Sequence, residues 1–279
     1  MPVPIALKSC PQADNRPTVV ALHGSASHSG QWRQLVTDLQ DRYRVLTPDL
    51  CGYGAAATHS DHGPITLQEI ARALLPVIAT SSEPVHLIGH SFGGAVALKI
   101  ASMWPEKVLS LTLVDPAAFN VVWNAYGIST PHTMAFNQAV RESRNALKTG
   151  ASGKAMQIFF DFWCGQDAWS QADVRLRSQL ATSAHQMHND YVALVSDRFT
   201  KADATAVRCP VTCVTGTASP VEIQHIADVM ALKLRRFEHR LVQDATHMAA
   251  VTDPDLINPI IGEILDNVDT RWHRCRRAA

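Results

Sequence analysis

The stretch Val85–Trp104, VHLIGHSFGGAVALKIASMW, decides the fold. Its first residues, Val85–Ile88, form an apolar run of the length expected for a buried strand. The pattern Gly-x-Ser-x-Gly follows and centres on Ser91, and the apolar segment after it has the composition of a buried helix. A serine between a strand and a helix in this pattern predicts a sharp turn that presents its hydroxyl at the carboxyl end of a sheet.

The residues beside Ser91 strengthen this interpretation. Gly89 and Gly93 allow the strand and the helix to approach each other closely. The amide of Phe92 lies at the first position of the helix, where backbone N–H groups have no helical partner and can bind negative charge. The alternative is a glycine-rich turn in which Ser91 only caps the helix.

Composition limits the classes of function. The 279 residues include 25 Lys and Arg against 25 Asp and Glu, so the formal net charge is zero and no nucleic-acid or membrane-surface partner is indicated. No apolar run reaches the roughly 18 residues that span a bilayer. A small basic cluster near the end of the sequence is expected to be a solvated tail; it comprises Arg271, Arg274, Arg276 and Arg277.

The six cysteines are scattered, and none forms a Cys-x-x-Cys pair. Cys209 and Cys213 flank or lie in an apparent strand, which favours buried thiols over metal ligands. The first residues, MPVPIALKSCPQ, lack a charged segment followed by a long apolar core, so we expect no signal peptide. A reducing, cytoplasmic setting is therefore expected.

Strands and helices alternate along most of the chain, which predicts a parallel sheet covered by helices on both faces. The alternation stops between Phe119 and Lys201, where aromatic residues and helical periodicity predict a helical insertion. We therefore expect a core of residues 1–118 and 202–279 and a helical cap of residues 119–201. Besides the strand at Val85, the predicted strands are Thr18–Leu22, Tyr43–Leu46, Leu109–Val114, Val211–Thr215 and Phe237–Val242.

Four motifs give the chain a resemblance to α/β-hydrolase-fold enzymes over nearly its whole length. They are, in order, His23-Gly24-Ser25 after a strand, the segment Asp49–Gly54, the turn at Ser91, and His247 before the last helix. The resemblance implies a mostly parallel central sheet flanked by helices, with the cap inserted after the strand that follows the Ser91 helix. It also implies no cofactor and no metal, and an oxyanion hole made by the backbone N–H groups of Ser25 and Phe92.

The chemistry explains why these residue types are needed. A serine hydroxyl is a weak nucleophile near neutral pH and needs a base within hydrogen-bond reach. Among thirteen histidines, His247 is favoured by its position after the last strand. His90 is expected to be structural. His23 is expected to support the oxyanion loop, with contact to substrate as the alternative.

The acid that orients His247 has two candidates. Many relatives carry it after the next-to-last strand, but there this chain has Ser219, and the next carboxylate is Glu222. The other placement is the end of the strand after the Ser91 helix, which Asp115 occupies. We favour Asp115 and keep Glu222 as the alternative. Asp49 and Asp244 are expected to serve structural roles in their loops.

The cap of such enzymes lines the substrate pocket, and we expect Trp123, Phe159 and Trp163 to take part. The resemblance favours a cofactor-independent serine hydrolase that cleaves an ester or thioester of a small, apolar acyl substrate. A carbon–carbon bond hydrolase of the same fold is one alternative. A non-catalytic protein that binds small molecules and retains the triad is another. The expected partner is a small molecule, and a homodimer is compatible with the sequence.

Overall fold

The structure is a computed structural model that describes residues 3–7, 15–57 and 65–278. Within these residues, six parallel strands form one sheet in the order β2-β1-β3-β4-β5-β6. The predicted strands are confirmed, and their ends differ by at most two residues from those expected. They are β1 (Thr18–Leu22), β2 (Arg44–Leu46), β3 (Val85–His90), β4 (Val108–Val114), β5 (Val211–Gly216) and β6 (Phe237–Val242).

Helices cover both faces of the sheet, which explains why every residue of β1, β3 and β5 is buried. Alternate residues of β1 point to opposite faces: Val20 and Leu22 pack in one apolar core, Val19 and Ala21 in the other. The helices on the first face are α2 (Leu67–Ile78), α3 (Phe92–Met103) and α11 (Val221–Lys233). Those on the second face are α1 (Arg33–Leu39), α12 (Ala249–Thr252) and α13 (Pro254–Ala278).

Local sequence sets where these helices begin and end. Thr66 accepts a hydrogen bond from the amide of Glu69, whose side chain in turn accepts from the amide of Thr66. This is a capping box, which the Thr-x-x-Glu spacing of residues 66 to 69 produces at the start of α2. The last helix, α13, runs through the basic segment, so the backbone of the residues expected to form a solvated tail is helical.

The sheet is interrupted between β4 and β5 by helices that we call the cap. Phe119, Phe136 and Trp163 pack together inside it, and the rings of Phe119 and Phe136 stack with centroids 3.7 Å apart. A further helix, α10 (Lys201–Ala206), packs against α3. The cap helices are α4 (Phe119–Tyr126), α5 (Met134–Lys148), α6 (Ser152–Cys164), α7 (Ala168–Gln171), α8 (Val174–Thr182) and α9 (Ala184–Ser196).

The predicted thiol environment is observed for Cys209 and Cys213, which are buried and free. Burial raises the pKa of the Cys209 thiol to about 12, so it stays protonated near neutral pH. Across residues 3–7, 15–57 and 65–278, no helix combines the length and the apolar character needed to cross a membrane.

The predicted fold, a mostly parallel sheet flanked by helices, is confirmed. Every pairing between these six strands is parallel, so the carboxyl ends of β1, β3, β4, β5 and β6 lie at the same end of the sheet. This end carries the loops that contain Ser25, Ser91, Asp115 and His247.

Candidate active site

Ser91 lies between β3 and α3 with φ 52° and ψ −123°, a conformation that non-glycine residues rarely adopt. The neighbouring glycines make this turn possible. A Cβ atom on Gly93 would lie 2.5 Å from the carbonyl oxygens of Leu22 and His23, and one on Gly89 would lie 2.4 Å from the carbonyl of Gly93. Any side chain at these positions would collide with backbone, so the strained serine depends on both glycines.

The loop after β6 brings His247 to Ser91. The distance between His247 Nε2 and Ser91 Oγ is 3.1 Å, and both residues are buried. This is hydrogen-bond distance for a base that accepts a serine proton.

Asp115 lies directly after β4, and its Oδ2 atom is 3.3 Å from His247 Nδ1. The separation fits an ion pair when His247 is protonated, but the contact is not a hydrogen bond, and Nδ1 has no hydrogen-bond partner among the described residues. The carboxylate is held from the other side: Gly216 N–H donates to Oδ1 at 3.0 Å, and Ser219 Oγ donates to Oδ2. Asp115 thus faces His247 with one oxygen shared between two neighbours.

The alternative acid, Glu222, lies in the first turn of α11, and its side chain is buried. The carboxylate that the structure places beside His247 is that of Asp115. Ser219, where the resemblance led us to look for an acid, instead donates a hydrogen bond to Asp115. The structural interpretation of Asp49 agrees with its contacts, because its carboxylate accepts hydrogen bonds from the amides of Ser29 and Ala55.

His23 supports the loop that contains Ser25. Its Nε2 accepts the N–H of Leu50 at 2.9 Å, so Nδ1 carries the proton and donates to the carbonyl of Gly24 at 2.8 Å. Burial lowers the pKa of His23 to about 4, which keeps the ring neutral. Both ring nitrogens of His23 form hydrogen bonds with the backbone, so neither is free to bind a substrate. The expectation that His23 contacts the substrate is therefore corrected.

His90 holds the loop of the proposed base. Its Nε2–H donates to the carbonyl oxygen of His247 at 2.8 Å, and burial lowers the pKa of His90 to about 3. The neutral ring thus fixes the backbone of His247 and matches the structural role expected for it.

Asp190 is a site residue that sequence reasoning missed. It lies on α9 and is 2% exposed, and its Oδ2 accepts hydrogen bonds from Ser25 Oγ at 2.5 Å and Tyr53 OH at 2.6 Å. Gln186 Nε2 donates to Oδ1 at 3.0 Å. Burial nevertheless dominates and raises the pKa of Asp190 to about 7.

A signal for Asp190 is present in the helical periodicity. Met187, Asp190 and Leu194 are three to four positions apart, and all are buried on one face of α9. An acid on an apolar helical face needs partners inside the fold. The spacing of Asp190 between two apolar residues is therefore the feature of the sequence that could have indicated its role.

A cavity of about 450 Å³ opens beside Ser91, between the Ser25 loop, the His247 loop and cap helices α6 and α8. Phe159 and Trp163 line it, and the indole of Trp163 stacks on the His247 ring with centroids 3.8 Å apart and planes 20° apart. Trp123 is placed elsewhere: it packs in the cap beside Phe119, and its Nε1–H donates to Thr133 Oγ1 at 2.9 Å. The expectation that Trp123 lines this pocket is therefore corrected.

Among the described residues, no group of three or more His, Cys, Asp or Glu side chains is arranged to hold a metal ion.

Comparison with solved structures supports the fold. A thermophilic esterase from Thermogutta terrifontis superposes with a TM-score of 0.71 over 95% of this chain and 93% of that chain, at 19% identity. An alpha/beta hydrolase from Sphaerobacter thermophilus also gives a TM-score of 0.71, over 95% and 99% of the two chains, at 20% identity.

Curated relatives align over shorter segments. The chain is 40% identical over 98 residues to a pimeloyl-[acyl-carrier protein] methyl ester esterase of Methylococcus capsulatus, covering 35% of this chain and 36% of the relative. It is 35% identical over 100 residues to lipase LipV of Mycobacterium tuberculosis, covering 36% and 37%. The chain thus spans just over a third of the length of these two relatives. The family model of the alpha/beta hydrolases matches residues 19–260, most of the chain, and the protein belongs to the alpha/beta hydrolase family.

Proposed function

We propose that the protein is a cofactor-independent serine hydrolase that cleaves an ester or thioester of a small, apolar acyl substrate. Ser91 is the nucleophile, His247 the general base and Asp115 the residue that orients His247. The observation that carries this proposal is the chain of contacts from Ser91 Oγ through the His247 ring to Asp115 Oδ2, at 3.1 Å and 3.3 Å.

The first half of the reaction forms an acyl-enzyme. Ser91 Oγ attacks the carbonyl carbon while His247 Nε2 takes its proton, and Asp115 stabilises the imidazolium that forms. The N–H groups of Phe92 and Ser25 hold the developing oxyanion, and each donor of this kind contributes roughly 2.7–4 kcal/mol to the rate. The bond to the leaving oxygen or sulfur then breaks, and His247 returns its proton to that atom.

The second half releases the acid. A water molecule attacks the acyl carbon, His247 takes a proton from this water, and the proton passes to Ser91 Oγ as the acyl–serine bond breaks. The free hydroxyl and the neutral imidazole are thereby restored.

A fluorophosphonate probe tests the proposal, since it labels only an activated serine. We expect the wild type to label and Ser91→Ala to lose all labelling. Asp115→Asn should label far more slowly, whereas Glu222→Gln should label at nearly the wild-type rate because Glu222 is not the carboxylate beside His247.

Two outcomes would change the proposal. Slow labelling of Glu222→Gln alone would move the acid to Glu222 and leave the class of reaction intact. A wild type that never labels would contradict an activated serine. Ligand screening for a small-molecule binding role would then be the next experiment.

A further inference from the structure

Two cavities of very different size meet at Ser91. The larger, about 450 Å³, has His247 in its wall. The smaller, about 20 Å³, lies towards α3 and α9, with Phe92 in its wall. Ser91, Phe159 and Trp163 border both cavities, so a substrate at Ser91 has access to each of them.

The chemistry of the reaction decides which part of an ester enters which cavity. The leaving oxygen must lie near His247 Nε2 to receive its proton, so the alcohol extends into the larger cavity, where His247 forms part of the wall. The carbonyl oxygen points to the N–H groups of Phe92 and Ser25. The acyl chain then takes the remaining direction, towards the smaller cavity beside Phe92.

The size of the smaller cavity limits the acyl chain. A cavity needs roughly 10–15 Å³ to hold one water-sized group. The smaller cavity, at about 20 Å³, therefore accommodates one or two non-hydrogen atoms beyond the carbonyl carbon. Met187 and Leu194, both buried on α9, close its far side together with Phe136 of α5. These side chains belong to the packed interior of the cap and yield only by creating strain.

Polarity limits the acyl group as well. The carboxyl group in the wall of the smaller cavity is that of Asp190, whose oxygens already accept hydrogen bonds from Ser25, Tyr53 and Gln186. A carboxylate at the end of an acyl chain would meet this acid without a cationic partner, at a high cost in desolvation. The cavity therefore selects against acyl groups that carry a carboxylate.

The larger cavity has the opposite character. Its cap wall is built from apolar side chains of α6 and α8, among them Met156, Phe160 and Leu180. A volume of about 450 Å³ lies within the range of sites that bind whole small molecules. A bulky apolar alcohol fits this space.

We propose that the substrate is an ester of a short acyl group without a carboxylate, about two or three carbons long, with a large apolar alcohol. The smaller cavity beside Ser91 holds the acyl group and the larger cavity holds the alcohol. Met187 limits the length of the acyl chain. This inference rests on the proposed serine hydrolase function. It goes further by assigning the small side of the ester to the acid and the large side to the alcohol.

The test uses p-nitrophenyl esters that share one leaving group and carry acyl chains from acetate to octanoate. We expect the wild type to show its highest kcat/KM with acetate or propionate and to lose about tenfold or more by hexanoate. Met187→Ala opens the smaller cavity and should raise the hexanoate-to-acetate ratio about tenfold. Leu180→Ala makes a comparable truncation in the larger cavity and should leave this ratio unchanged.

A second series keeps acetate and enlarges the alcohol from ethyl through benzyl to naphthylmethyl, all primary alkyl alcohols with similar leaving-group reactivity. The wild type should gain kcat/KM as the alcohol grows, and Leu180→Trp should cancel the gain. Thermal melting of each variant checks that it is folded, and Leu194→Ala replaces Met187→Ala if the latter does not fold.

The results separate this inference from the proposed function. A wild type that labels with fluorophosphonate but prefers hexanoate or octanoate overturns the acyl assignment alone. If Leu180→Ala raises the hexanoate-to-acetate ratio of kcat/KM and Met187→Ala does not, the acyl chain lies in the larger cavity and the inference is wrong. A wild type that neither labels with fluorophosphonate nor hydrolyses any of the esters would instead overturn the serine hydrolase proposal.

Discussion

The side chain of Asp115 shares one carboxylate oxygen between His247 and Ser219. Because Ser219 Oγ touches the oxygen that faces His247, a carboxylate placed at residue 219 would reach nearly the same point. We therefore expect that the proposed acid can be moved from residue 115 to residue 219, because both lie at strand ends near His247.

Exchange of the acid tests this geometry. Asp115→Asn should lower kcat about 10³- to 10⁴-fold, as loss of the orienting carboxylate does in serine proteases. Addition of Ser219→Asp should recover at least tenfold of the loss, measured as kcat with p-nitrophenyl acetate. The control is Asp115→Asn with Ser219→Asn, which adds a similar volume without charge and should recover nothing. Equal recovery in both double variants would contradict a role for the carboxylate.

Trp163 stacks its indole on the ring of His247, which gains positive charge in the proposed reaction. An aromatic face stabilises such a cation by roughly 0.5–2 kcal/mol, so Trp163→Leu should lower kcat between twofold and thirtyfold. Trp163→Phe retains a ring and should lose less. Phe160 lines the same cavity but packs against Trp169, so Phe160→Leu should change KM rather than kcat. A Trp163→Leu variant that changes only KM would indicate a lining role alone.

At the scale of helices and strands, the sequence predicts those features that depend on residues close together in the chain. The alternation of strands and helices, the capping box at Thr66 and the turn at Ser91 each depend on residues near in the chain, and the structure contains all three. The prediction for Trp123 is wrong because the contact of its indole with Thr133 is set by how α4 packs within the cap. The contacts of Asp190 join residues 165 and 137 positions apart, which no local pattern reveals.

Helix α9 is joined to the loop that contains Ser25 through Asp190, whose Oδ2 accepts hydrogen bonds from both Ser25 and Tyr53. Ser25→Ala removes the link to the loop that carries a proposed oxyanion donor, so we expect kcat to fall about three- to tenfold with little change in KM. Tyr53→Phe removes a hydrogen bond to the same oxygen from outside that loop. It should lower the melting temperature and have a smaller effect on kcat. Similar kcat losses in both variants would contradict a specific effect on the loop.

For the whole molecule, three buried groups make the free energy of unfolding depend on pH. Two of them are histidines and one is an acid, and their effects have opposite signs. His23 and His90 have pKa values lowered from 6.5 to about 4 and about 3 by burial, so the unfolded chain binds their protons more tightly. Their contribution to the free energy of unfolding is complete above pH 6.5 and is lost as the pH falls towards 3. Asp190 behaves in the opposite way, because its pKa is raised from 3.8 to about 7 and the folded state retains its proton. Its contribution is complete below pH 3.8 and is lost as the pH rises through 7.

Asp190→Asn separates the two effects, because the amide keeps a neutral side chain at every pH. Relative to the wild type, the free energy of unfolding of this variant should increase between pH 4 and pH 8, by up to about 4 kcal/mol over the full shift. Urea unfolding at a series of pH values measures the difference. The control, Glu106→Gln, removes an exposed carboxylate and should follow the wild-type curve. A constant difference between Asp190→Asn and the wild type across this range would show that Asp190 does not carry the proton. The buried histidines would then dominate the pH profile, and stability would rise steadily to neutral pH.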